Sequence, residues 1–294
     1  MLKLTFLGTS ASVPSVERSM PSIAVRGKEL YLWDCGEGAQ RQMMKYKVGF
    51  GSVRGIFITH MHLDHFLGIY GLIETLRLSN TFSQKLAVFA PRKFGDLLIS
   101  RWDFLEINEI RQGLLLKDSE AAISAFKVRH SGESFGFVYK EHDKLKFYEE
   151  KAHRLGLAGP MFREIQENGF VKIGRKRVEL EDVTWTKTGR KIVYTGDCLP
   201  SRSTVEAAKG ADLLIHDATF ANEFQKEAEE RNHSTAEQAA EVAKEAGVKQ
   251  LALTHISGRY RDAAELLKEA RAVFPNTIVA EDGLGLEITR KEDE

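Results

Sequence analysis

Cysteine is nearly absent: Cys35 and Cys198 are the two in 294 residues. Two thiols cannot build a disulfide framework, and the expected setting is intracellular. An excess of one charge is missing as well. Lys plus Arg and Asp plus Glu each number 42, which excludes a globally basic coat for nucleic acid and leaves room for a local patch. No apolar stretch approaches the roughly 18 residues of a membrane span. The opening MLKLTFLGTS alternates like a strand, where a secretory signal would pair a charged start with an apolar run. Neither a membrane nor an export signal is therefore expected, and the expected location is cytoplasmic. Internal repeats of about 20–50 residues are also missing. What remains is ordinary globular material: 43% hydrophobic and 29% charged residues, enough for a core. At about 150 residues per domain, the length suits two domains or one large one.

Short apolar runs ending in Gly, Asp or His recur along the chain. They are 2–8, 29–36, 55–60, 85–91, 124–130, 191–197, 212–217 and 250–255, each expected as a strand. Helical spacing is expected over 37–46, 64–78, 93–99, 203–209, 234–246 and 261–272. Ser234 with Glu237 reads as a capping box and Gly247 as a stop. The alternation implies an α/β fold with layers. Residues 150–186 have a different texture. Within 151–177, seven basic residues stand against Glu164 and Glu167, among the turn signals Gly156, Gly159-Pro160, Gly169 and Gly174. A solvated surface excursion and a basic arm for phosphates both fit this composition.

The densest chemistry lies at IFITHMHLDHFLG. His60, His62, Asp64 and His65 spell His-x-His-x-Asp-His after an apolar strand. Imidazole and carboxylate donors suit zinc, and three His with one Asp in six residues leave little structural alternative. A metal pair needs further donors from other strand ends. His130, Asp197 and His255 each close an apolar run, and sites in layered α/β proteins gather at one edge of the strands.

These motifs resemble the metallo-β-lactamase superfamily, and more closely the tRNase Z family of tRNA 3′-processing endonucleases. LTFLGTSASVPS, DCGEGAQRQMM, LLIHDATF, HSTAEQAA and LTHISGRY all look like that family, over nearly the whole chain. The resemblance implies a four-layer αβ/βα sandwich, a single domain over 1–294 with an inserted flexible arm at about 150–186. Gly159-Pro160 would match the arm's Gly-Pro motif. It implies two Zn²⁺ per subunit: His60, His62 and His130 on one, Asp64, His65 and His255 on the other, Asp197 bridging. Asp64 would orient the water and act as general base, while His233 would help the leaving oxygen, steadied by Asp217. The implied substrate is precursor tRNA and the implied assembly a homodimer. Four positions depart from the family's pattern: Glu17 and Ser19 in the Pro14–Ser19 loop, Asp217 where Glu is usual, and Cys198 where Thr is frequent. Another hydrolase of the superfamily, arylsulfatase-like or a small-molecule phosphodiesterase, a non-catalytic RNA binder and a β-lactam hydrolase are the rival readings. The first lacks a use for the arm, the second a reason to keep seven donors, the third an export signal.

Overall fold

Along the central strands, side chains of both parities are apolar, so each strand can be buried on two faces at once. The computed structural model describes residues 1–79, 85–98 and 102–289. The chain divides into two compact units, Met1–Lys140 with Arg190–Glu294, and Glu141–Gly189.

The first unit holds two seven-stranded sheets. One contains the strands Lys3–Gly8, Ser22–Arg26, Leu30–Trp33, Val53–Phe57, Leu86–Ala90, Leu105–Glu109 and Gly285–Glu287. The other contains Gly113–Lys117, Ala121–Lys127, Phe135–Glu141, Lys191–Tyr194, Leu213–Asp217, Gln250–Thr254 and Thr277–Val279. Leu4, Phe6, Tyr31, Trp33 and Phe57 of the first sheet share one core with Phe137, Tyr139, Tyr194 and Ile215 of the second. The opposite parity packs outward. Leu32, Ile56 and Ile58 meet the helices Ala39–Lys45 and Ile69–Ser79. Val193, Leu214 and Leu253 meet the alanine-rich helix Ala236–Ala246 and Ala264–Val273. The result is the four-layer αβ/βα sandwich that the resemblance implies.

The 64–78 helix expected from spacing is broken into Leu63–Phe66 and Ile69–Ser79. The cause is Gly68, whose N–H donates to the Cys35 carbonyl at 2.9 Å, so close that a Cβ there would lie 1.8 Å from the Gly36 oxygen. The capping box also moves by one residue. Ser234 Oγ donates to the Cys198 carbonyl, so Thr235 caps the helix instead. Its Oγ1 accepts from Gln238 N and its N–H donates to the Gln238 side chain. The 93–99 segment carries a short 3-10 turn, Phe94–Leu97, with residue 99 outside the described residues.

The second unit has its own small core of Ala152, Leu157, Ile165, Val171, Val178 and Val183. It contains two hairpin-like pairs, Lys144–Phe147 with Thr184–Lys187 and Phe170–Ile173 with Lys176–Glu179, and the helices Glu149–Arg154 and Met161–Asn168. Neither its strands nor its core is legible in the sequence, because its segments are short and their outer positions charged. Lys140, just before the unit, and Lys191, two residues after it, are antiparallel partners in the second sheet.

Candidate metal centre

The turns that follow five strands converge on one edge of the sandwich. His60 follows Val53–Phe57, His130 follows Ala121–Lys127, Asp197 follows Lys191–Tyr194, and His255 follows Gln250–Thr254. Asp34 follows Leu30–Trp33, a residue that sequence reasoning passed over. Asp34 and His255 both adopt the left-handed backbone region, at φ 55° and 61°, which non-glycine residues occupy at a cost. Gly196, at φ 60°, makes the Asp197 turn possible, since a Cβ there would press on Thr59 at 2.8 Å. His62, Asp64 and His65 ride on the short Leu63–Phe66 helix and its lead-in.

Donor atoms gather into two overlapping sets. His60, His62, His130 and Asp197 offer one atom each within 4.8 Å of one another, and so do Asp64, His65, Asp197 and His255. Asp197 belongs to both. Its Oδ2 lies 3.6 Å from His60 Nε2 and 3.3 Å from both His65 Nε2 and His255 Nε2. Among the described residues, the buried side-chain atoms without a hydrogen-bond partner are His60 Nε2, His65 Nε2, His255 Nε2, Asp64 Oδ2, Asp197 Oδ1 and the Trp33 indole nitrogen. Leaving a buried polar atom unpaired costs about 1–3 kcal/mol. Five such atoms facing one another form a donor set that divalent cations fit in number, charge and donor type.

A third set, Asp197, Asp217, His233 and His255, is as compact. Its bonding differs. Asp217 accepts from Thr219 N at 2.9 Å, Thr219 Oγ1 at 2.6 Å, Cys198 N at 3.0 Å and His233 Nδ1 at 2.7 Å. With its acceptor sites filled, Asp217 has nothing left for a cation. It holds His233 instead.

Charge states agree with this division. Burial and the neighbouring His65 hold His60 well below the ordinary imidazole range, and burial lowers His62 and His130 as well. Burial alone would raise Asp197, but His255, His65 and His60 outweigh it and hold the carboxyl well below its usual range. His65 moves the other way. Burial opposes its charge, yet Asp197 and Asp34 prevail and raise it well above the ordinary value, so a metal ion on Nε2 would take the place of a proton. Burial opposes a proton on His233 too, but Asp217 overrides it and raises His233 to about 9.

All seven expected donors thus meet at one edge, with His233 beside them. Its ring centroid is 5.0 Å from that of His130 and 5.1 Å from that of His255. Asp217 reaches His233 despite being one methylene shorter than the glutamate usual there. Because the cap moves to Thr235, His233 sits two residues before the cap, and the Asp217 carboxylate orients it. The Pro14–Ser19 loop is anchored by Arg18, which donates to Thr9 Oγ1 and the Ala280 carbonyl, so this arginine is committed to the fold. A groove lined by Met61, Pro91, Arg92 and Ser131 takes in the exposed His62.

The sandwich and the paired His/Asp sets at its edge define a hydrolase of the metallo-β-lactamase fold. Two family models match, that of the anti-Pycsar protein Apyc1 over residues 2–134 and that of the beta-lactamase superfamily domain over residues 176–256. The ribonuclease Z of Archaeoglobus fulgidus is 45% identical, covering 99% of each chain, and that of Methanosarcina acetivorans 43%, covering 98% of each. The crystal structure of human tRNase Z, short form, superposes with a TM-score of 0.69 at 28% identity, covering 98% of this chain and all of that one. The chain belongs to the ribonuclease Z family and is an endoribonuclease. No helix among the described residues is long and apolar enough to cross a membrane.

Proposed function

We propose that the protein is a zinc-dependent endoribonuclease that removes the 3′ trailer from precursor tRNA, leaving a tRNA 3′-hydroxyl and a trailer 5′-phosphate. The observation that carries the reading is the pairing of two overlapping donor sets, with five orphaned atoms on His60, Asp64, His65, Asp197 and His255, with a closed His233–Asp217 pair at their edge. His60, His62 and His130 would hold one ion and Asp64, His65 and His255 the other, with Asp197 belonging to both sets. Two such ions would supply an activated water near neutral pH and offset charge on the scissile phosphate.

The chain's own groups do the rest. Asp64, at the mouth of the second set, orients the attacking water and takes its proton. Asp217 occupies His233 Nδ1, which leaves Nε2 to protonate the departing ribose 3′-oxygen. The resemblance also supports a homodimer, with the basic arm of one subunit serving the site of the other. Within Glu141–Gly189 the seven basic residues from Lys151 to Arg177 are all exposed, and Gly174-Arg175 forms the tip of the Phe170–Glu179 hairpin. Exposed cations suit phosphate contacts on a shaped RNA.

The test is cleavage of a precursor tRNA with a 3′ trailer, run beside a small phosphodiester, with bound metal quantified on the same sample. Single cleavage after the discriminator base, with about two zinc ions per chain, is expected. Turnover of the small ester alone would move the assignment to a small-molecule phosphodiesterase.

A further inference from the structure

A clasp of one plan occurs twice, once from each sheet, with Thr59 Oγ1 in the first also 3.0 Å from the second carboxylate oxygen, Asp34 Oδ2. In the first, Asp34 Oδ1 accepts from Thr59 N at 2.8 Å and Thr59 Oγ1 at 3.0 Å. Asp34 Oδ2 accepts from His65 Nδ1 at 2.7 Å and Tyr194 Oη at 2.8 Å. In the second, Asp217 Oδ1 accepts from Thr219 N and Thr219 Oγ1, while Oδ2 accepts from His233 Nδ1 and Cys198 N. A further bond runs from each threonine onward. Thr59 Oγ1 lies 3.0 Å from His60 Nδ1, and Thr219 Oγ1 lies 2.8 Å from His255 Nδ1.

A hydroxyl owns one proton. Each threonine gives that proton to its carboxylate, so towards the histidine its oxygen can only accept. His60 and His255 must therefore carry hydrogen on Nδ1, and their Nε2 lone pairs are turned into the cluster. Those two Nε2 atoms are among the orphaned ones. Neither hydroxyl is free to rearrange. Thr59 is 1% exposed and wedged against the Gly196 backbone, and Thr219 is 4% exposed.

We propose that Thr59 and Thr219 are positioning residues that fix the tautomers of His60 and His255, and so set the affinity of the two metal sites without touching metal or substrate. The inference rests on the reading that those histidines hold metal ions.

Two measurements test it. In the wild-type apoprotein, two-bond ¹⁵N–¹H spectra should show both imidazoles with hydrogen on Nδ1, and hydrogen on Nε2 at either one overturns the proposal. Chelator-competition titrations with zinc then compare Thr59→Val and Thr219→Val with Thr59→Ser and Thr219→Ser. Each valine variant should weaken one of the two bound equivalents by about 10–100-fold. Each serine variant, which keeps the hydroxyl, should restore most of the loss. Wild-type affinity in the valine variants, or equal losses with serine and valine, overturns the proposal. Failure of the wild type to bind two ions would instead sink the metal reading beneath it, so the two failures are distinguishable. The spectra need no variant to fold.

Discussion

The Asp34 and Asp217 clasps share a bonding plan and differ in what the second imidazole faces. Asp34 holds His65, fully buried, whose Nε2 points at Asp197 and Asp64 at 3.3 and 3.5 Å. Asp217 holds His233, which is 8% exposed and keeps an open edge beside His130 and His255. One carboxylate–imidazole pair is sealed and the other keeps some exposure. In the proposed function the same local chemistry would serve metal binding in one sheet and proton transfer in the other, with the burial of one ring edge separating the two.

The largest way to break the comparison is to remove Asp34. Asp34→Ala strands Thr59, His65 and Tyr194, all buried donors. Breaking such a network should cost about 3–5 kcal/mol in denaturant unfolding and abolish binding of at least one zinc equivalent. Retention of both zinc ions would show that the first clasp does not serve the metal sites. Removing the second clasp should act elsewhere. His233→Ala should lower kcat on precursor tRNA by about 10²–10⁴-fold while both zinc ions stay bound. Loss of zinc alongside kcat would mean the two clasps do one job.

The pH profile sharpens the distinction. Asp217 raises His233 to about 9 from the ordinary 6.5, so the proton-donating form is present at neutral pH and is lost as pH climbs through about 9. The alkaline limb of kcat should fall there and vanish in His233→Ala. Asp217→Asn removes the charge that raises the imidazole, so its limb should move towards lower pH with zinc content intact. An alkaline limb that survives in His233→Ala would assign it to another group.

How much of this is legible in the sequence follows from how locally it is written. His60, His62, Asp64 and His65 fall within six residues, so their spacing alone exposes them. Asp197 and His255 show because each closes a run buried on both faces, where a polar residue is conspicuous, and His130 because it ends a strand-like run with one buried face. The clasps do not show. Asp34 is paired with residues 25, 31 and 160 positions away, and each bond exists only after the two sheets meet. Thr59 and Thr219 look like ordinary neighbours of more conspicuous residues. Strands with exposed or short segments, such as Leu105–Glu109 and Gly285–Glu287, lack the apolar runs that mark the central ones. The cap falls one residue beyond Ser234 because that hydroxyl is taken by a carbonyl 36 residues away, a partner that a local rule cannot supply.

The smallest expected effect lies outside both clasps and controls for them. Arg175→Glu with Lys176→Glu alters the exposed hairpin tip of the Glu141–Gly189 unit, which has its own core. If the tip neutralises RNA phosphates, the slope of log Kd against log salt should shrink by about 0.7–0.9 for each phosphate no longer neutralised. Zinc stoichiometry, the alkaline limb and turnover of a small phosphodiester should all stay at wild-type values, because none of those readouts depends on distant phosphates. An altered limb or a missing zinc would tie the arm to the clasps. An unchanged salt slope would return its charges to plain solvation, where exposed pairs such as Arg163 with Glu167 at 2.8 Å contribute about 0–1 kcal/mol.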